Sequence, residues 1–252
     1  MMKAYNKIVI LEESSASEFD NLISKGFFPT NYYFETITHL VFTNYFENKT
    51  DVYKVYPLRF DINKIKTHSS HKRIRQKNSR FTYKIKEFKR VQQNQRKLYK
   101  RYLSSIDFNR SSRIEDIIGY EKAEEAVFNS KTISVFDGSK LIASGIFYLG
   151  GTYGTSILHF FDPEYKEYSL GKYMILLTID YLKQLNYPIY SPGYIVNNFP
   201  KFDYKLFIGK EAASVFHTDT QRWKKFEESI LVPLIYNREE TNEIISEINA
   251  FF

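Results

Sequence analysis

Ser169, Leu170, Gly171 and Lys172 stand where a strand-like run gives way to an amphipathic helical one. The chemistry available to such a step is anion binding. The first backbone N–H groups of a helix have no partner within it, and the helix dipole places partial positive charge there. Gly171 would let a phosphate-bearing group approach the backbone, and Lys172 would add a cation. The same four residues also read as an ordinary N-cap with a packing glycine. Asp162, followed by Pro163, ends the preceding strand. A carboxylate there can hold a substrate ammonium group or accept its proton; Asp-Pro is equally a common turn opener. His159, on the same strand, reads as a packed strand histidine.

Two further groups surround this step. Tyr190, Gly193, Tyr194, Lys201, Tyr204 and Lys205 form a basic-aromatic cluster just downstream. Aromatic faces stack on bases and lysines pair with phosphates, while a rim of surface aromatics is the plainer alternative in a chain with 21 Tyr and 22 Phe. Upstream lies the basic region. Between Arg59 and Arg101 there are 16 Lys/Arg and two acids, Asp61 and Glu87, so the remainder is net acidic although the chain carries +7 overall. Segregation of this kind is the footprint expected for a polyanion partner. Its densest part runs from Ser70 to Asn78. On a helix, Lys72 and Arg75 share one face, and Arg73 and Lys77 lie on the next. That helix can grip RNA phosphates or, through an Arg fork, a peptide carboxylate.

Composition narrows the chemistry further. With no Cys, disulfides, Cys-ligated zinc, iron–sulfur clusters and thiol catalysis are excluded. The His residues are scattered, and no zincin, Walker or Gly-x-Ser-x-Gly spacing occurs, so neither a metal nor another resident cofactor is expected. No apolar run is long enough to span a membrane or form a signal-peptide core. A cytoplasmic protein without a membrane partner is the expectation.

The elements that must position these residues follow from periodicity. Lys7–Leu11 reads as a strand and Ser17–Lys25 as a helix ended by Gly26. Asn31–Asn44 and Val52–Phe60 are β-rich. Ser69–Asn78 reads as a basic helix, Phe81–Phe88 as a strand, Gln92–Ser104 as a polar helix, and Arg113–Asn129 as one or two helices broken near Gly119. Then the pattern changes. Thr132–Phe136 and Lys140–Leu149 flank an Asp137-Gly138 turn and form a hairpin, with Thr155–Phe161 as a third strand. Ser169–Leu185 is the best helix, with Leu170, Tyr173, Met174, Leu177, Tyr181 and Leu182 on one face. Pro188–Tyr190 is a short strand, and a helix near Glu239–Asn249 ends the chain.

Hairpin, third strand, glycine turn, helix and short strand is the core order of the GNAT (N-acetyltransferase-like) fold. The fold class is therefore α+β: a GNAT-like mixed sheet flanked by helices, with an N-terminal β-rich and basic helical region packed on it. Residues 1–110 would form that N-terminal region, a degenerate GNAT-like half being one form of it, and residues 111–252 the transferase domain. In that architecture the strands before and after the helix splay apart and open a cleft.

Several segments, taken in order, resemble the arginyl-tRNA–protein transferases and their bacterial leucyl-transferring relatives. They are Pro57-Leu58-Arg59-Phe60-Asp61, the basic Ser70–Asn78 stretch, Leu98-Tyr99-Lys100-Arg101-Tyr102-Leu103, Asp162-Pro163 with Ser169-Leu170-Gly171, and Gly193-Tyr194 with Pro200-Lys201-Phe202-Asp203-Tyr204-Lys205. Trp223 falls near the end of the similar block, and Gly26-Phe27 resembles a glycine-aromatic step upstream. The resemblance implies transfer of an amino acid, Arg or Leu, from an aminoacyl-tRNA to the N-terminal amine of a protein or peptide, often one beginning with Asp or Glu. It also implies that Ser169–Lys172 and the downstream cluster hold the tRNA acceptor end. Asp162 would orient the attacking amine. Arg59, Lys72, Arg73, Arg75, Lys77 and Asn78 would grip tRNA phosphates or the acceptor's carboxylate. The N-terminal cysteine cluster of that family has no counterpart in a chain without Cys. The alternatives are an acetyl-CoA-dependent GNAT N-acetyltransferase and a catalytically inactive tRNA-binding relative.

Overall fold

The computed structural model describes residues 7–11, 14–44, 49–106 and 110–249. Strand β1 (Ile8–Ile10) precedes helix α1 (Ala16–Ser24), where the Ser15 hydroxyl accepts from the Glu18 N–H and so caps the first turn. Strands β2 (Phe28–Thr30) and β3 (Tyr33–Glu35) join β1 in a small antiparallel sheet ordered β1-β3-β2. Next come β4 (His39–Asn44) and the long β5 (Lys49–Asp61), then the basic helix α2 (Ser69–Lys77) and strand β6 (Thr82–Glu87). Helix α3 (Gln93–Leu103) starts at a reciprocal Gln92/Gln95 cap. The short α4 (Ile114–Ile118) stops at Gly119, whose φ of 83° suits a residue without Cβ.

The second half carries β7 (Asn129–Asp137), β8 (Lys140–Leu149) and β9 (Tyr153–Phe161), then helix α5 (Leu170–Gln184) and strand β10 (Ile189–Val196). A 3-10 segment (Pro200–Ile208) follows, then β11 (Ala213–His217), β12 (Arg222–Lys225) and helix α6 (Arg238–Asn249).

Among the described residues the main sheet runs β12-β11-β5-β10-β9-β8-β7-β6, with β4 paired to β5. Only β9 and β10 run parallel; the other ladders are antiparallel. Two layers cover it. Helices α2 and α5 pack on one face with Leu58, Phe60, Tyr190 and Phe147. Helices α1, α3 and α4 pack on the other with Tyr148, Tyr153, Leu158 and Phe160. This is the α+β mixed sheet flanked by helices that the element order predicts. A boundary at residue 110 does not divide the sheet: β5 sits inside it and β6 at its edge, and both precede that point.

The short strand expected at Pro188–Tyr190 is longer than its sequence suggests. It continues to Val196 through Pro192 and Gly193, residues that weaken a strand, because the ladder with β5 resumes after an irregularity between Tyr190 and Gly193. Strands β11 and β12 and the Pro200–Ile208 segment lacked a periodic signal and were not expected.

Candidate functional site

The fork comes from the register of β10. It pairs with β9 only at Ile189–Ser191, opposite Tyr153–Thr155. On its other edge it pairs with β5 at Ile189–Tyr190 and again from Gly193 to Val196, with an irregularity between Tyr190 and Gly193, so only the β9 edge opens. Beyond Thr155, β9 keeps β8 alone, and its own irregularity leaves Ile157 unmatched between Ser156 and Leu158. A bulge adds local twist, so β9 bends away where β10 leaves it. Gly193 takes φ 99°, which a side chain would strain.

Both lips of the fork carry polar side chains. At its root the Ser156 hydroxyl on β9 and the Tyr190 hydroxyl on β10 share a hydrogen bond of 2.7 Å, and β9 continues as one lip. Burial drives the Tyr190 phenol above its usual range, the Ser156 bond opposing. His159 lies across Gly145, and burial, with the Arg110 charge second, lowers its pKa to about 4; its Nε2 has no hydrogen-bond partner among the described residues. On the other lip, Lys205 Nζ donates to the Tyr194 carbonyl at 2.6 Å. It lies 5.1, 5.0 and 5.6 Å from the ring centres of Tyr194, Phe202 and Tyr204. Burial first, then the Arg110 charge, lowers its pKa to about 7, with Asp203 opposing. The Arg110 charge acts on Tyr99, Tyr102, His159, Tyr194, Tyr204 and Lys205, groups of both lips.

The tip of α5 borders the fork. Ser169 is exposed, holds φ 52°, and makes no side-chain cap, so no side chain occupies the first-turn donors. At Gly171 the nearest atom to an added Cβ would be Phe161 Cε1 at 3.9 Å, so the approach is open. Lys172 Nζ lies 5.3 Å from the Phe207 ring centre. The basic helix α2 ends beside this tip. Asn78 Nδ2 donates to the Tyr168 carbonyl at 2.9 Å, Lys77 Nζ stands 3.8 Å from Glu167, and the Arg80 guanidinium lies 5.7 Å from the Tyr168 ring. His71 Nε2, 2.7 Å from the Phe207 carbonyl, ties α2 to the segment that carries Lys205. The cationic helix and the α5 tip therefore share one side of the sheet.

Five expected site residues sit differently. Asp162 is wholly buried: it accepts from Arg101 at 2.8 Å and from the Glu164 N–H at 3.1 Å, and Lys140 lies 3.1 Å away. It is an anchor between α3, β8 and the turn after β9, with no open face for an amine. Leu170 and Tyr190 are fully buried, so neither side chain reaches a base. Asn78 is buried and holds Ile74 and Tyr168 carbonyls. Arg59 lies between Leu58 and Phe60, which face the α2/α5 layer, so strand alternation turns it to the opposite face. There it donates to the Tyr153 hydroxyl at 2.8 Å and stacks 4.2 Å from the Trp223 ring centre. Of the remaining basic set, Arg75 is held by Asp180 in a two-pronged bond of 2.6 and 2.9 Å, while Lys72 and Arg73 are exposed. Lys201 and Tyr204 border the fork beside Tyr102 and Arg110.

Tyr102, Arg110, Ser156 and His159 join the site without having been expected there. The resembling Leu98–Leu103 stretch named Tyr102 but gave it no role, and no local pattern marks Arg110. Among the described residues no group of three or more His, Asp or Glu is placed to hold a metal. No helix among the described residues is long and apolar enough to cross a membrane.

Residues 94–212 match the family model described as arginine-tRNA-protein transferase, C terminus. Arginyl-tRNA–protein transferase 1 of Saccharomyces cerevisiae is 31% identical over 80 residues, covering 32% of this chain and 14% of that protein. The similarity thus spans a small part of that relative's length. Two solved structures are similar in outline. FemX has 10% identity and a TM-score of 0.46, over 84% of this chain and 70% of that one. The C-terminal domain of a putative lysylphosphatidylglycerol synthetase from Agrobacterium fabrum has 14% identity and a TM-score of 0.39, over 55% and 46%. The Pro57–Asp61 and Ser70–Asn78 segments lie outside the matched stretch. The part of the chain that holds β9, the α5 tip, β10 and Lys205 is similar to the C-terminal part of the arginyl-tRNA–protein transferases, as the order of its motifs predicts.

Proposed function

We propose that this chain moves an amino acid from an aminoacyl-tRNA to the N-terminal α-amine of a protein or peptide. The observation that carries this reading is a coincidence in place. Residues 94–212, which match the transferase model, hold both lips of the forked sheet and the uncapped α5 tip.

The chemistry asks little of the protein beyond placement. An aminoacyl ester is already activated, and an α-amine with an ordinary pKa of about 7.7–8.0 is partly neutral at pH 7. Holding the two in line supplies much of the rate. Where β10 leaves β9, the β9 backbone beyond Thr155 has no second strand beside it, and donors there can steady the oxyanion that forms on attack. The tRNA 3′ end lies at Ser169, Gly171 and Lys172, where free N–H groups and the helix dipole meet a phosphate. Lys72 and Arg73, exposed on α2 on the same side, meet phosphates further along. Tyr194, Lys201 and Tyr204 border the acceptor's path. The donated residue is arginine rather than leucine, following the matched family.

The test is direct. The chain is incubated with charged total tRNA and peptides beginning with Asp, Glu, Lys and Ala, and the products are weighed. A mass gain of one arginine on an acidic N-terminus supports the reading. Binding of charged tRNA with no modified peptide would leave a tRNA-binding protein. Saturable acetyl-CoA binding with no aminoacyl transfer would replace the reading with N-acetyl transfer.

A further inference from the structure

Lys205 is the least ordinary ionisable group in the fork. Its residue is only 7% exposed, and among the described residues no carboxylate lies within 4.0 Å of its ammonium. A lysine buried in this way is normally paired, because removing an ammonium from water is costly. Instead the amine is held by one backbone carbonyl and three aromatic rings. Its position is fixed by the fork itself. Nζ stands 4.0 Å from where a Cβ on Gly193 would lie, at the residue where β10 parts from β9. Aromatic faces and a carbonyl tolerate the protonated amine, while burial and the nearby Arg110 favour the neutral one.

We propose that Lys205 carries the proton of the transfer step, taking it from the attacking α-amine and delivering it to the departing ribose oxygen. The inference rests on the transfer reading above. The neutral α-amine adds to the ester carbonyl, forming the C–N bond and a tetrahedral oxyanion. Its nitrogen then bears an extra proton, which passes to the lone pair of the neutral Lys205 amine. Collapse of the intermediate breaks the ester C–O bond, and the Lys205 ammonium gives the same proton to the ribose oxygen. The lysine ends as it began, and no other reactant is needed. Shuttling of this kind works best in a group whose two protonation states are both populated at working pH. The amine's pKa, brought to about 7 by burial and Arg110, meets that condition.

The charged and titratable groups that face this amine are Arg110 after α3, Tyr194 on β10, and Asp203 and Tyr204 on its own segment. Tyr102 on α3 and Lys201 stand behind Tyr204, and Glu35 behind Tyr194. Arg110 and Asp203 act in opposite directions on Lys205, with burial the larger influence.

The experiment is single-turnover transfer from a bound aminoacyl-tRNA to one fixed peptide, followed against pH. Three forms are compared: wild type, Lys205→Arg, and Lys205→Cys alkylated to a thioether analogue of lysine with lower basicity. Thermal unfolding and tRNA binding are measured for each. The expected result is a fall of at least about a hundredfold for Lys205→Arg with tRNA binding kept. The alkylated form should recover rate, with its pH inflection moved to lower pH. Arginine keeps the charge but does not give up its proton, so a purely structural or tRNA-gripping lysine would survive that change. Lys205→Arg transferring within threefold of wild type would overturn the inference while leaving the transfer reading intact. So would an alkylated form whose inflection does not move. If wild type modifies no peptide at all, the transfer reading fails first, and this inference with it.

Discussion

Helix α2 and the fork both hold cations, and they hold them in opposite ways. Lys72 and Arg73 stand in water on a helix with almost no acid near it in sequence. They meet a partner through solvent, by attraction that salt weakens. Lys205 is taken out of water, surrounded by rings, and brought close to losing its charge. The contrast separates two tasks that one basic sequence might seem to share. Exposed cations collect a polyanion; a buried one can exchange a proton. Arg75 marks the boundary between them, because Asp180 already holds its fork.

The largest effect should come from the buried member. The folded pKa of Lys205 is about 7, below its ordinary 10.5. Between those values the unfolded chain binds more protons than the folded one, so stability rises with pH there. The slope approaches about 1.4 kcal/mol per pH unit. Lys205→Met should abolish that rise, and should unfold at higher urea than wild type near pH 7 while transferring nothing. Urea titrations from pH 7 to 9 give the comparison; equal slopes in the two proteins would return Lys205 to an ordinary surface-like role.

Asp162→Ala comes next. It removes a buried carboxylate bonded to Arg101 and to the Glu164 N–H, and should lower stability by about 2 kcal/mol. Because the residue is an anchor, transfer per folded molecule should stay within a few fold. A loss of transfer with stability unchanged would restore it to the chemistry.

The exposed member is tested by Lys72→Ala with Arg73→Ala. Affinity for charged tRNA should fall about tenfold, and the slope of log affinity against log salt should shallow by about 1.5. Stability should hold within about 0.5 kcal/mol. An unchanged salt slope would mean that α2 faces no phosphate. The smallest effect is expected at Arg75→Ala. The Arg75–Asp180 pair is part exposed on both sides, so its loss should shift stability by about 0.5 kcal/mol. A tenfold loss of tRNA binding there would show that Asp180 yields its partner to the nucleic acid.

Much of this was legible from local pattern. The α5 tip, the basic helix and the β7–β8 hairpin each announce themselves within a dozen residues, through caps, charge and alternation. What failed was orientation. Tyr190 and Leu170 sit among residues that look like a binding surface, yet both face the core. Arg59 belongs to a basic run by sequence but points away from it, because each residue along a strand turns to the face opposite its neighbour's. Asp162 looked catalytic for the same reason that it is structural. A carboxylate at a strand end beside a proline caps whatever follows.

By itself the sequence determined which elements form and in what order, since periodicity, turn residues and charge spacing are local quantities. It also determined that the positive charge is concentrated between Arg59 and Arg101. Tertiary structure alone decided which lysines are taken out of water. Desolvation depends on every neighbour within several ångströms, and the neighbours of Lys205 come from β10, from its own segment and from Arg110, distant in the chain. The fork is likewise a property of pairing: β5, drawn from far earlier in the chain, holds one edge of β10 as far as Val196, while β9 leaves the other edge after Ser191.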